Sequence, residues 1–321
     1  MMSQPAMELL KQLAAEGVSP WLAAGGPEFL PGALYRPTGA SLLHGAVVPD
    51  ADPDAARRAC DTLWDVFLTS GGRHGRVSVP VDPRVAHDAQ ALLAEARALR
   101  AAVGRPNLLV RVPATAAGLA ALADCLAEGI SVDADLVFSA ERYDEVLTAY
   151  LTGLERALAA GRPLHETVAV TSVPVGTLDT EVDTRLAGLP AGPDRDGARN
   201  TAAAAVARLM YRTREERMEG DWWRVLRAAG AVPPGLLWTA VEPRHIGALV
   251  GWNTGQAATA DVLEEAVATG GLSGDTLLNA HEDGRKALAL LEDLGIRMAE
   301  VTEVLETMEL TRLQHAWKLS S

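Results

Sequence analysis

Lysine is almost missing from this chain. Among 321 residues, 29 are lysine or arginine, yet only Lys11, Lys286 and Lys318 carry a side-chain primary amine. Between residues 11 and 286 there is none, which excludes from that stretch any chemistry that needs an amine nucleophile, imine formation above all. Cysteine is scarce too. Cys60 and Cys125 provide neither a disulfide framework nor a metal-ligand cluster, and both fall in helical patterns that suit buried thiols. Aromatic residues are 4% of a chain that is 48% apolar, so its core has to be mostly Ala, Val and Leu, a mixture suited to helices packed closely on a sheet. Acidic side chains outnumber basic ones, 42 to 29, and the net charge of −13 argues against a nucleic-acid partner, which would select a basic face. No apolar run is long enough to span a bilayer. The amino-terminal MMSQPAMELLKQLAAEG has no continuous apolar core of signal-peptide type, so a soluble cytoplasmic protein with no membrane partner is expected.

What is present is an alternation. GRVSVPVDP (75–83), NLLVRVPAT (107–115), ISVDADLVFS (130–139), TVAVTSVPVG (167–176) and PGLLWTAVE (234–242) are Val-enriched and bounded by turn residues, as strands are. Between them, segments such as AHDAQALLAEARALRAAVG and SAERYDEVLTAYLTGLERALAAG place apolar residues at three- and four-residue spacing. Several of these helical stretches stop at a glycine suited to a left-handed cap (Gly104, Gly129, Gly161). Repeated strand–helix units imply a parallel sheet. Their number over this length predicts an α/β fold with a single TIM-type (β/α)8 barrel over residues 1–321 and extra terminal helices. An open doubly wound sheet is the alternative, but no G-x-G-x-x-G follows an early strand. The Pro/Gly-rich loop AGLPAGPDRDGARN (187–200) is short enough to be a surface connection.

The order of these segments resembles one family. VSVPVDPRVAHD is similar to V-S-x-E-V-D-P-R, and NLLVRVPATAAGLAA to N-L-x-I-K-[IV]-P-A-T-x-x-G-L. EGISVDADLVFSAERY is similar to E-G-I-x-V-N-x-T-L-[IL]-F-S-x-E-R-Y, and LDTEVDTRL to V-D-T-E-[IV]-D-x-R-L, while LLWTAV stands where that family has L-W-A-S-T. The chain thus resembles the transaldolases, barrel enzymes of the pentose phosphate pathway that work through a Schiff base. The resemblance covers nearly the whole chain and implies the barrel fold.

It also marks what has changed. The lysine that attacks the ketose carbonyl falls at Arg111, whose guanidinium stays protonated and offers no nucleophilic amine. The family's W-L-D-D reads Trp21, Leu22, Ala23, Ala24. Its T-T-N-P falls on Ser41, Leu42, Leu43 and His44, and the glutamate of V-S-x-E on Pro80. The Asn and Thr of V-N-x-T become Asp133 and Asp135. The Ser-Arg pair implied to hold substrate phosphate becomes Gly176 and Thr177, and S-T-G-x-K becomes TAVEPR, where Arg244 restores one cation. With the scaffold segments intact and these positions replaced together, the ancestral reaction is expected to be abandoned.

Asp133 and Asp135, two apart on a strand, share a face. The resemblance puts that face and Arg111 inside the barrel. Three readings follow. The cluster is structural, an arginine neutralised by acidic neighbours. Or Arg111, Asp133 and Asp135 are catalytic, the guanidinium clamping a substrate anion while one carboxylate moves a proton. Or the aspartates, with His44 or Glu242, hold a metal, for which the spacing is unspecific. His44, Thr171, Ser172, Trp238, Glu242 and Arg244 lie near strand ends and are the candidate substrate-binding residues, although core packing alone would explain Trp238. RTREERMEGDWWRVL (212–226) suits a helix–helix or oligomer contact. EVTEVLETMELTRLQHAWKL (300–319) is an amphipathic helix that the resemblance places across the barrel mouth, where it would act as a lid. His74, His87, His165 and His281 carry no constellation. Two function classes stay open. One is a repurposed enzyme doing acid/base chemistry (aldol or lyase, dehydration, isomerisation or cyclisation) on a small anionic metabolite, with specialised biosynthesis as a candidate setting. The other is a non-catalytic pseudoenzyme that binds a metabolite or a partner protein. A transaldolase of the pentose phosphate pathway is the residual reading. No cofactor and no metal is expected, and a homodimer is allowed.

Overall fold

The computed structural model describes residues 2–23, 42–49, 51–269 and 271–320. Eight strands run in parallel and close into a barrel in chain order. They are β1 (Val18–Ala23), β2 (Gly45–Val47), β3 (Arg76–Pro80), β4 (Leu108–Pro113), β5 (Val132–Asp135), β6 (Ala169–Pro174), β7 (Gly235–Thr239) and β8 (Thr254–Ala258), with β8 returning to pair with β1. The expected barrel is therefore the observed one.

Helices pack outside, and between them and the sheet lies one large apolar core of Ala, Val and Leu, as the low aromatic content requires. Cys60 and Cys125 are fully buried within it, and burial pushes both thiols up to about 12. A smaller inner cluster of Trp21, Leu109, Val170, Leu237 and Ala257 fills the barrel itself. Two clusters back to back follow from strand geometry: alternate residues point to opposite faces, so each strand feeds both.

The helix over Ala89–Val103 is capped by Asp88, whose carboxylate accepts from the amides of Gln90 and Ala91, and it ends on left-handed Gly104 (φ 61°). The helix Met298–Ser320 closes the carboxyl-terminal side. Gln314 Nε2 donates to the Pro83 carbonyl (3.1 Å), and Arg142 pairs with Glu306 (3.4 Å). The Pro/Gly-rich loop holds a short helix, Pro193–Ala198. Beyond Gly220, Trp223 is buried and tilts against Tyr150 (centroids 6.3 Å apart), whereas Trp222 is exposed. Among the described residues no helix is long and apolar enough to cross a membrane.

Candidate active site at the barrel mouth

β4 lies between β3 and β5, with Pro80 beside Arg111, Arg111 beside Asp133, and Pro113 beside Asp135. Arg111 is 8% exposed. One guanidinium nitrogen, Nη2, donates to the Val48 carbonyl just past β2 (2.6 Å), and Nε stands 3.6 Å from Asp135 Oδ2. The Asp135 carboxylate is held from the other side by the Leu136 amide (2.8 Å to Oδ1). Leu136 takes φ 62°, a left-handed conformation that a leucine adopts only when its surroundings impose it. Local backbone strain thus sits next to the carboxylate that faces Arg111.

Asp133 lies one layer deeper and is fully buried. The hydroxyls of Ser78 (2.5 Å) and Ser172 (2.9 Å) both donate to its Oδ2, and its Oδ1 has no partner. Burial, reinforced by the neighbouring Asp135 charge, raises its pKa to about 7, against the opposing pull of Arg111 and the two serines. Burial thus favours the protonated form of this carboxyl, so Asp133 and Asp135 do not impose two full negative charges on one cation.

Above this cluster opens a cavity of about 240 Å³, lined by Arg111 and Asp135 and otherwise by apolar groups, among them Pro49, Pro80, Pro83, Pro113, Leu313 and Trp317. It lies at the carboxyl-terminal strand ends, where barrel enzymes place their chemistry. The carboxyl-terminal helix forms one wall through Leu313, Ala316 and Trp317, so the helix expected at the mouth packs there. Asp133 does not line the cavity. It supports Asp135 and Arg111 from below.

Several expected site residues go elsewhere. Thr171 sits between inward-facing Val170 and Ser172, so strict alternation turns it to the helix layer, where it is buried. Trp238 likewise follows inward-facing Leu237 and lies wholly within the outer core. Only Ser172 of that group reaches the cluster. His44 immediately precedes β2 rather than ending a strand. All strands run the same way, so it stands at the opposite, amino-terminal end of the barrel, stacked on His74 (centroids 3.7 Å apart). The metal set that would have joined His44 to the aspartates is therefore not assembled. Among the described residues no group of three His, Cys, Asp or Glu side chains is placed to hold a metal ion. Ala24 and Ser41 lie outside the described residues.

Glu242 and Arg244 belong to a separate buried-edge cluster beyond β7. The Glu242 side chain caps the helix Pro243–Ala248, and the Glu242 amide donates to His245 Nδ1 (3.0 Å). That bond leaves the Nε2 proton of His245 for Asp179 Oδ2 (3.0 Å), while Asp179 Oδ1 accepts from the Ala203 amide (2.8 Å). Arg244 bridges Glu242 (2.6 Å) and Asp179 (3.6 Å). Neither Glu242 nor Arg244 lines the mouth cavity. A Cβ on Gly176 would come within 2.1 Å of the Ala240 carbonyl oxygen, so this backbone has no room for a serine at that position.

Ser78 and Trp317 went unnoticed in the sequence, although Ser78 stands two residues before Pro80 and so shares its face. The three lysines stay outside. Lys11 and Lys286 are exposed and paired with Glu8 and Asp283, and exposed Lys318 is not among the residues lining the cavity.

The sequence has counterparts among known proteins. A family model described as Transaldolase/Fructose-6-phosphate aldolase matches residues 53–320. A transaldolase of Parafrankia sp. (strain EAN1pec) is 40% identical over 269 residues, covering 81% of this chain and 73% of that protein. A transaldolase of Acidothermus cellulolyticus is 40% identical over 81% of this chain and 72% of its own length. Transaldolase 1 of Streptomyces avermitilis is 41% identical over 81% and 71%.

Proposed function

This chain belongs to the transaldolase/fructose-6-phosphate aldolase family, and on that premise we propose that it is a repurposed barrel enzyme that works without a Schiff base. The observation that carries the reading is the Arg111–Asp135 pair at the floor of the mouth cavity, with no side-chain amine lining it. Imine formation needs an uncharged amine, and a guanidinium offers none.

The chemistry open to the pair is proton transfer on a small anionic metabolite. Guanidinium N–H groups of Arg111 not engaged by Val48 meet a carboxylate, or the oxygen of a carbonyl, in the substrate. The Asp135 carboxylate takes a proton from the adjacent carbon. The electron pair of the broken C–H bond moves onto the carbonyl oxygen, where the guanidinium stabilises the developing charge. Return of that proton to the former carbonyl carbon, with the neighbouring hydroxyl's proton passing to the former carbonyl oxygen, completes an isomerisation. Its delivery to a β-hydroxyl, which departs as water while the electron pair returns from oxygen to close a C=C bond, completes a dehydration. Asp133 is a positioning residue here: sealed beneath the pair, it sets how strongly the region is charged. The proline-lined walls are apolar and favour a substrate with an apolar portion, unlike a fully hydroxylated sugar phosphate.

The non-catalytic reading draws its support from Pro80. It lines the cavity beside Arg111, where the family resemblance expects a carboxylate, and can neither take nor give a proton.

Borohydride reduction in the presence of fructose 6-phosphate tests the premise. The intact mass is expected to stay unchanged while a transaldolase relative, run alongside, gains the adduct. A stable adduct on this chain would return it to transaldolase chemistry. Metabolite binding to Arg111→Ala and Asp135→Asn then separates the two remaining readings. An enzyme loses turnover with Asp135→Asn while keeping its ligand, whereas a binding protein has no turnover to lose.

A further inference from the structure

A second cavity, about 490 Å³, opens at the amino-terminal end of the barrel, the end away from Arg111. Two of its lining residues, buried Trp21 and exposed Trp252, have their indoles lying on glycines. A Cβ on Gly45 would fall 2.5 Å from the Trp21 ring, and one on Gly17 would fall 2.3 Å from the Trp252 ring, so at both places only glycine lets the ring lie where it does. Trp252 is 69% exposed, an unusual cost for an indole unless something covers it.

One side of the cavity is cationic. Arg76, the first residue of β3, shares the inward face of Ser78 and is only 4% exposed. Its Nε and Nη2 donate to the Gly72 carbonyl (3.1 and 2.7 Å), and its Nη1 has no partner. Arg73 stands on the same side, beside His74 and His44; burial pushes both imidazoles down, His44 to about 4, so near neutrality only the two guanidiniums there are charged. Although the chain carries 42 acidic residues, among the described residues no aspartate or glutamate lines this cavity and neither Arg73 nor Arg76 forms an ion pair. A guanidinium buried without a carboxylate is costly, and a counter-charge supplied in this cavity would offset that cost.

We propose that this amino-terminal cavity is a second ligand site, for a small aromatic anion. The flat body of the ligand lies against Trp21 and Trp252, and its phosphate or carboxylate group pairs with the Arg76 guanidinium, with Arg73 at the rim. No chemistry occurs there. The site is a binding site distinct from the mouth and does not depend on the reaction proposed for it.

The test uses the full chain with three probes: phenyl phosphate, inorganic phosphate and phenol. Binding is followed by calorimetry and by the indole N–H resonances, with the Trp252 resonance assigned by its loss in Trp252→Phe. Phenyl phosphate is expected to saturate and to shift that resonance, with phenol and inorganic phosphate at least about tenfold weaker, each lacking one half of the recognition. Arg76→Met is expected to weaken phenyl phosphate by about tenfold or more. Should that variant not fold, Arg73→Gln, at an exposed position, is expected to weaken it by a few-fold, roughly as rim charges do. Trp317→Ala at the mouth should leave the affinity unchanged. The proposal fails if phenyl phosphate does not saturate, or if inorganic phosphate binds as tightly. It fails equally if binding falls with Trp317→Ala and survives the arginine substitutions.

Discussion

The two ends of this barrel handle charge in opposite ways. At the mouth a buried cation faces a carboxylate 3.6 Å away, with a second carboxyl below, so the cluster is close to neutral by itself. At the amino-terminal end Arg76 is as deeply buried, yet among the described residues its guanidinium bonds to the Gly72 carbonyl and lies over the Phe67 ring, with no carboxylate paired to it. The contrast separates two meanings of a buried arginine. A cation that carries its own counter-ion holds its geometry without a ligand, which suits a preorganised reaction centre. A cation left with an orphaned donor is, on the proposal made above, completed by an anionic ligand.

Removing Arg111 breaks this contrast most severely. Arg111→Ala leaves two carboxyls facing each other in a cavity whose other walls are apolar. Loss of one partner from a buried pair costs about 3–5 kcal/mol. Denaturant unfolding at neutral pH is expected to show a loss of that order, and to show less at pH 5, where protonation of Asp133 relieves the repulsion. A loss below roughly 1 kcal/mol would mean that the pair is solvated like a surface ion pair, and the mouth would then be no reaction centre of this kind.

Asp133→Asn sharpens the comparison by isolating the proton. In the native protein this carboxyl titrates near 7, while in the unfolded chain it returns to about 4. Between those values the native state keeps a proton that the unfolded state has given up. Unfolding then releases a proton, and stability falls as pH rises from about 4 to about 7, levelling off above. Three units at about 1.4 kcal/mol each put the total on the order of 4 kcal/mol. The asparagine variant lacks this titration. Its stability relative to the parent chain should therefore improve steadily across that window and stay constant above pH 8. A parallel pair of pH profiles would show that Asp133 titrates normally and that the cluster is open to water.

The sequence was readable where residue type and spacing carry the physics. Five strands announced themselves through Val-rich alternation, and the replacement of an amine by a guanidinium at position 111 was visible without coordinates. β8, Thr-Gly-Gln-Ala-Ala, has no β-branched aliphatic residue. It is a strand because Gly255 lets Trp21 and Leu237 close over it and the barrel needs an eighth member. β1 contains Pro20, and β2 is three residues long, so neither had a period to read. For His44 the residue was legible but its end of the barrel was not, since that depends on whether the strand precedes or follows it. Thr171 and Trp238 failed on parity: at a strand end, one step in register exchanges the barrel interior for the helix layer. The Arg76 cavity was invisible for a different reason. It is assembled from the starts of several strands that only closure of the barrel brings together.

Trp317→Ala makes the smallest change and tests whether the mouth is truly the drier end. Trp317 is half-buried on the last turns of the carboxyl-terminal helix, so its truncation should lower global stability by no more than about 1–2 kcal/mol. Its consequence should instead appear two layers down. Asp133 titrates near 7 chiefly because burial keeps water away, and widening the mouth lets water approach Asp135 and then the carboxyl beneath it. The break in the stability profile should therefore move from about pH 7 toward the ordinary carboxylate range, by an amount that carbonyl-region NMR of Asp133 reads directly. If the break stays in place while the amide protons of the last helical turns exchange faster, the helix is a lid that opens without wetting the floor. Desolvation of Asp133 would then belong to the barrel interior alone.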